Sequence, residues 1–329
     1  MTPPNHVSHD TINHTVSSVN IINKLSTPLI TKYKSSTINY SHVKTTTLPP
    51  NTRLFTRLPT RLPTRLPTRL PTRLPARLPA KRSLHIGINY IGSDYQLDGC
   101  INDANNVSSF IKQKYRFANN NILIMTDNTS IKPTKNNILT AFTKLLQNTV
   151  PGDLLFFTYS GHGSQLSDRN NDERDKKDEC LVSSDLQYIT DDEIKRIINS
   201  NLKKNVTLVA IIDSCFSGSA FDLKYQYLDT ISQTPLYINP KDSVTQGQVI
   251  MISGCTDNQT SADAYISNSY EGAMTWSFLS QLKKTPKPSW KNLITGMRSL
   301  LSSTNLYTQI PQISSGMNLN INSTCVLTL

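Results

Sequence analysis

Residues 208–212, Leu-Val-Ala-Ile-Ile, are apolar at every position. A strand that is apolar on both faces leaves no side for water, so it must be covered twice. Leu154–Phe157 and Val249–Ile252 repeat the pattern. Between these runs the apolar residues fall at helical spacing: Ile101, Ala104, Val107, Ile111 and Tyr115, then Ile138, Phe142, Leu145 and Leu146. Strands alternating with helices predict an α/β domain, its central sheet mostly parallel and flanked by helices on both faces. Strands are expected at 84–91, 121–125, 153–160, 206–213, 249–254 and 324–328. Helices are expected at 101–117, 134–148 with Thr134 as N-cap, 191–202, and near 272–283 and 289–303.

In open parallel sheets, sites form at the carboxyl ends of strands. Two ends here carry reactive side chains beside glycine. The strand 153–160 runs into Ser160-Gly161-His162-Gly163, and 206–213 into Asp213-Ser214-Cys215-Phe216-Ser217-Gly218. If the two strands are neighbours, His162 and Cys215 meet. A thiol needs a base beside it to attack at neutral pH, and an acyl transfer needs N–H donors for the oxyanion. His162 would supply the base, and the amides of Gly163 and Cys215 the donors. Taken singly, Cys215 could be a buried structural thiol and His162 a loop residue; their shared position at strand ends favours a site.

The charge is split unevenly. Residues 1–82 hold 13 Lys and Arg against one acid, Asp10, and the remainder is close to neutral. The basic pI therefore describes the leader, and the chain as a whole is not read as a specific nucleic-acid binder. Residues 1–50 are polar and poor in aromatics, which predicts disorder. Residues 53–80 repeat Arg-Leu-Pro-Thr, and proline at nearly every fourth position excludes a regular helix or central strand. Four readings of this repeat stand side by side: a solvated spacer, an arm for acidic surfaces, an organellar targeting leader, and a ligand for the chain's own site. The domain proper is expected from 83, divided at a connection near 223–246.

Five dispersed cysteines without C-x-x-C spacing argue against a disulfide framework or zinc site and for a reducing compartment, with the cytoplasm expected. No apolar run approaches the ~20 residues of a membrane span. Residues 168–179 mimic a calcium loop, but Glu173 stands where the turn needs glycine, and a strand precedes it. They are read as a charged surface loop.

The blocks "LDGCINDANN", "FFTYSGHGSQ", "AIIDSCFSGSA" and "MISGCTDNQTSADA…GAMTWSFL" together resemble the metacaspases, cysteine peptidases of caspase-like fold, over about residues 84–329. The 53-residue interval from His162 to Cys215 agrees with the ~50 known for caspases. The resemblance implies a His162–Cys215 dyad and cleavage after Arg or Lys in a pocket lined by Asp103, Ser160 and Asp213. Such carboxylates suit a guanidinium. Asp103 could instead cap its helix, and Asp213 merely end a strand. The resemblance also implies activation by Ca²⁺ held by Asp178, Asp191, Asp192 and Asp222, although Asp191 and Asp192 could serve simply as helix N-terminal acids. It further implies a monomer acting on protein or peptide substrates. Seven arginines in 53–77, among them Arg57 and Arg61, facing such an Asp-lined pocket make the chain's own leader a candidate substrate or pseudosubstrate, with Lys224 and Lys241 as rival self-cleavage sites. Phe216 departs from the family, where His is common. The competing reading is a non-catalytic caspase-fold scaffold with the basic leader as its binding arm.

Overall fold

A computed structural model of the chain describes residues 77–167, 176–227, 237–255, 263–266 and 269–328. The elements run β1 Lys81–Gly87, α1 Cys100–Tyr115, β2 Ile122–Thr126, α2 Lys135–Leu146, β3 Leu154–Ser160, β4 Gly163–Ser167, β5 Lys177–Val182, β6 Tyr188–Thr190, α3 Asp191–Asn201 and β7 Thr207–Asp213. They continue with β8 Tyr225–Gln226, β9 Tyr237–Ile238, β10 Gln248–Ser253, β11 Asp263–Ile266, β12 Ser269–Gly272, α4 Ala273–Lys284, α5 Trp290–Ser303 and β13 Gln312–Ser315.

The main sheet has the order β2-β1-β3-β7-β10-β13-β8-β9. Its first five strands are mutually parallel; β13 and β8 join antiparallel. Side chains of the central strands divide with period two. Leu208, Ala210 and Ile212 of β7 join Leu155, Phe157 and Tyr159 of β3 in one core with α2 and α3. Val209 and Ile211 join Phe156 on the other face, under α1, α4 and α5. Continuous apolar runs thus serve two cores at once, as the sequence predicts. Thr134 caps α2 by accepting from the Asn137 amide, and Thr190 with Glu193 forms a capping box on α3. Each such cap is worth ~1 kcal/mol.

Four regions differ from the sequence reading. The first strand begins at Lys81, and residues 77–80 already pack on the domain, so the fold starts before residue 83. Residues 324–328 make no strand. Cys325 and Leu327 are buried in the second core, and the backbone there bonds to the start of α5 through Trp290 N–H to Ser323 O and Cys325 N–H to Pro288 O. The sheet instead takes Gln312–Ser315, a strand with one apolar residue, in which Ser315 Oγ donates to Met317 O and Gln312 Nε2 to Ile310 O. Of the expected loop 168–179, residues 168–175 lie outside the described residues, while 177–179 open β5, with Asp178 and Glu179 buried. The connection 223–246 supplies β8 and β9; residues 228–236 lie outside the described residues.

One buried group makes stability pH-dependent. His85 in β1 is fully buried, shares a 2.9 Å hydrogen bond with Thr158 Oγ1, and meets the edge of Phe156. Burial pushes its pKa down to about 3. The unfolded chain therefore binds a proton that the fold refuses between the two pKa values. Stability contributed by neutral His85 is complete above about pH 6.5 and is lost as pH falls toward 3. The Tm of wild type is expected to fall across pH 6.5–4 more steeply than that of His85→Gln. Parallel curves would show that His85 is not the group responsible.

Candidate active site

Strands β3 and β7 are direct neighbours, with Ser160 opposite Asp213 at their carboxyl ends. The segments bearing His162 and Cys215 therefore leave the sheet side by side. Glycine permits their contact: a Cβ on Gly163 would stand 1.9 Å from Cys215 O. No side chain fits there. His162 and Cys215 are both part-exposed, just beyond the buried strand ends Ser160 and Asp213. Phe216, directly after the thiol, holds φ at 51°, a left-handed conformation uncommon for a bulky residue.

A pair of buried tyrosines fixes the histidine. The His162 amide donates to Tyr90 Oη at 2.9 Å, and His162 O accepts from Tyr159 Oη at 2.8 Å and from the Val182 amide at 3.0 Å. The Tyr90 ring lies 4.7 Å from the imidazole. The imidazole Nε2 sits 2.7 Å from Tyr95 O. A carbonyl cannot donate, so Nε2 carries the proton and Nδ1 is the basic nitrogen of the neutral ring. A backbone carbonyl thus orients the imidazole. Nothing in the identity of Tyr95 signals this.

Asp103, Ser160 and Asp213 also converge. A Cβ on Gly272 would lie 2.3 Å from Asp213 Oδ2 and 2.7 Å from Asp103 Oδ2. The Asp103 carboxylate accepts from the Gly272 amide at 3.0 and 3.1 Å, and Asp213 Oδ2 from the amide and hydroxyl of Thr275 at 2.8 Å each. Both acids therefore also satisfy amides at the start of α4, whose N-cap is Gly272. Asp103 does not cap its own helix; its carboxylate reaches α4. Burial, then the adjacent Asp213 charge, pushes the Asp103 carboxyl well above its ordinary value, against the Gly272 amide and the Ser160 hydroxyl. The result is a recess lined by two crowded carboxyl groups, beside the segments that carry the thiol and the imidazole. Gly272 and Thr275, which complete it, lie in a stretch whose sequence carries no local sign of their part.

With this geometry in view, similarity to known proteins narrows the identity. A sequence model described as "Metacaspase, peptidase C14 domain" matches residues 81–224. Metacaspase-1 of Emericella nidulans is 38% identical over 291 residues, 74% of this chain and 72% of the relative. The chain belongs to the metacaspase family. Metacaspase-1B of Neurospora crassa is 37% identical over 290 residues, 73% of this chain and 68% of the relative. A Geobacter sulfurreducens protein of known crystal structure superposes with a TM-score of 0.53 at 24% identity, over 72% of this chain and 93% of that one; this bears on the fold alone. The metacaspase is thus a cysteine-type peptidase with a caspase-like fold and protein substrates. No helix among the described residues is long and apolar enough to cross a membrane.

Away from His162 and Cys215, the metacaspase gathers Asp191 and Asp192, at the start of α3, with Asp222; their carboxylate oxygens lie within 4.8 Å of one another. Burial, then the Asp222 charge, pushes the Asp191 carboxyl up to about 9, despite the amides of Asp192 and Glu179 that donate to it. Asp222 holds φ at 45°. Lys195 Nζ stands 3.6 Å from Asp222 Oδ2 and 2.6 Å from Asp242 Oδ1. Oxygen-only donors crowding like charges fit a hard divalent cation. Asp178 is buried on β5, next to the Glu179 whose amide holds Asp191, and is not one of the three clustered carboxylates.

Proposed function

We propose that this metacaspase cleaves peptide bonds after Arg or Lys. The observation that carries this reading is the meeting of Asp103 and Asp213 at Gly272, beside the strand ends that bear His162 and Cys215. Two buried carboxylates repel each other, and a guanidinium between them restores both charges with directed hydrogen bonds. An aspartate side chain would add a third negative charge.

In this mechanism Nδ1 of His162 takes the proton of Cys215, and the thiolate attacks the scissile carbonyl. The Gly163 and Cys215 amides receive the oxyanion. The C–N bond breaks as His162 returns the proton to the leaving amine, and a thioester remains. Water, deprotonated by His162, then attacks the thioester; the C–S bond breaks and the thiol is restored. Tyr95 O holds the imidazolium formed in each half. A Ca²⁺ bound by Asp191, Asp192 and Asp222, with Asp178 nearby, would act on conformation, tying α3 to the chain that follows the nucleophile. Self-cleavage would target the leader arginines or Lys241, which is exposed; the Lys224 ammonium already donates to Asp242 O at 2.6 Å.

The test uses two fluorogenic peptides, one with Arg and one with Asp at the cleaved position, with chelator and with Ca²⁺ at about 10 mM, near saturating for a weak site. Cys215→Ala is the blank. Ca²⁺-dependent release from the Arg peptide alone is expected, together with a Ca²⁺-induced rise in Tm that Asp192→Asn abolishes. Release from the Asp peptide would overturn the pocket reading. A Tm indifferent to Ca²⁺ would overturn the metal reading and leave the peptidase standing.

A further inference from the structure

The last leader repeat is held by a site of its own. Arg77 places its guanidinium flat against the Asp153 carboxylate: Nη1 donates to Oδ1 at 3.0 Å, and Nη2 forms a second, shorter bond to Oδ2. Nη2 also donates to Asn148 O at 2.8 Å. The Asp153 side chain is fully buried, and it also accepts from the amides of Ala80 at 2.8 Å and Val150 at 3.0 Å. The neighbouring Arg82 lies 3.9 Å from the same carboxylate and donates to Gln147 O. Burial alone would push Asp153 up, but the Arg77 guanidinium and the two amides outweigh it and hold the carboxyl below its ordinary value. Pro79 lies over Gly152, where a Cβ would approach its ring to 3.0 Å, and Ala80 O accepts from the Leu154 amide. Forked Arg–carboxylate geometry with a buried acid is a built recognition site, not a solvated surface pair.

We propose that Asp153, with the Asn148 carbonyl and the Gly152 surface, is a socket for Arg77 and the Pro79–Ala80 backbone, with the Leu78 side chain left exposed, that anchors the leader and shields the Arg77–Leu78 bond from proteolysis. The sequence sharpens the claim, because residues 73–76 are the same tetrapeptide as 77–80. Arg73 and Arg77 thus share one local sequence, so a difference in their cleavage must be set by place.

The place matters too. Asp153 precedes β3 and Ser160 ends it, so the socket and the thiol occupy opposite ends of the sheet. Seven residues of strand separate them by about 20 Å. Four residues from Arg77 to Arg73 span at most about 14 Å. Arg73 is therefore tethered at the end of the sheet away from the recess of its own molecule. A cut there favours a second copy, and self-cleavage within one molecule favours repeats farther upstream. This consequence rests on the Arg-directed reading; the socket does not.

Limited trypsin digestion of the full-length Cys215→Ala protein tests the socket without using the chain's own activity. The expected core begins at Leu74, and the cut after Arg77 is at least about tenfold slower than the cut after Arg73, as for a bond that opens only transiently. In Asp153→Asn, and in Arg77→Lys, which keeps a trypsin site but loses the fork, the core is expected to begin at Leu78. Arg77 is part-exposed, so the lysine variant tests the socket even if Asp153→Asn does not fold. Equal rates after Arg73 and Arg77 in the unaltered leader, or a Leu74 terminus that survives Arg77→Lys, would overturn the proposal. If the socket holds but no Arg peptide is hydrolysed by the active protein, the peptidase reading alone has failed.

Discussion

Asp213→Asn is expected to lower kcat/KM on an Arg peptide by about 10²–10³-fold, the factor that removing one partner of a desolvated, hydrogen-bonded charge pair commonly produces. The loss should leave the rate of Cys215 alkylation by iodoacetamide unchanged, because that reagent needs the thiolate and not the recess. The variant has a structural side effect that must be separated. Asp213 Oδ2 holds both the amide and the hydroxyl of Thr275 at the start of α4. Asparagine keeps one acceptor oxygen for these donors, so the helix start should survive. Thr275→Val supplies the complementary measurement: it removes the hydroxyl donor, costs about 1 kcal/mol of stability, and should leave the Arg preference intact. If Thr275→Val loses Arg cleavage as thoroughly as Asp213→Asn, Asp213 acts by holding α4 and not by meeting substrate.

The sheet was legible in the sequence because β3, β7 and β10 are buried on both faces, and a strand with two cores must be apolar throughout. The adjacency of the two candidate residues was legible for a related reason. Adjacent parallel strands deliver their carboxyl ends to one place, so the segments that carry a histidine after β3 and a cysteine after β7 leave the sheet side by side. What could not be read falls into two kinds. The β13 strand, Gln-Ile-Ser-Ser, gains its place from backbone pairing with β10; Gln312 Nε2 and Ser315 Oγ donate to nearby carbonyls, while Ser314 Oγ is buried without a hydrogen bond. Such a strand leaves little hydrophobic trace. The parts that orient His162 were equally silent. Tyr95 contributes only a carbonyl, which every residue has, and Tyr90 and Tyr159 look like ordinary core aromatics until their hydroxyls are followed to Val182 O and to the backbone of His162. Asp103 shows the converse. Its position in the first turn of α1 allowed two readings, a pocket acid and a cap for its own helix, and tertiary contact turns the carboxylate toward α4.

Gly163→Ala is expected to abolish alkylation and hydrolysis together. The added methyl would meet Cys215 O at 1.9 Å and the Cys215 carbonyl carbon at 3.0 Å, both of them backbone atoms. No rotamer change relieves such a contact, so either β4 or the Cys215 loop must move by more than an ångström. β4 is held by its pairing with β5 and by the His162 carbonyl bonded to Val182. The loop is held by Cys255, whose thiol donates to Ser214 O at 3.3 Å. Whichever yields, the imidazole and the thiol separate, and a displacement of this size costs about 10²-fold or more. The variant thus differs in kind from Asp213→Asn, which spares the thiolate and loses the substrate. Iodoacetamide kinetics on the two proteins, read beside Arg-peptide hydrolysis, divide the site into a part that makes the nucleophile and a part that chooses the bond. Normal alkylation in a folded Gly163→Ala protein would mean that His162 does not activate Cys215 from the position it occupies here, and that the dyad forms only after a rearrangement of the Cys215 loop.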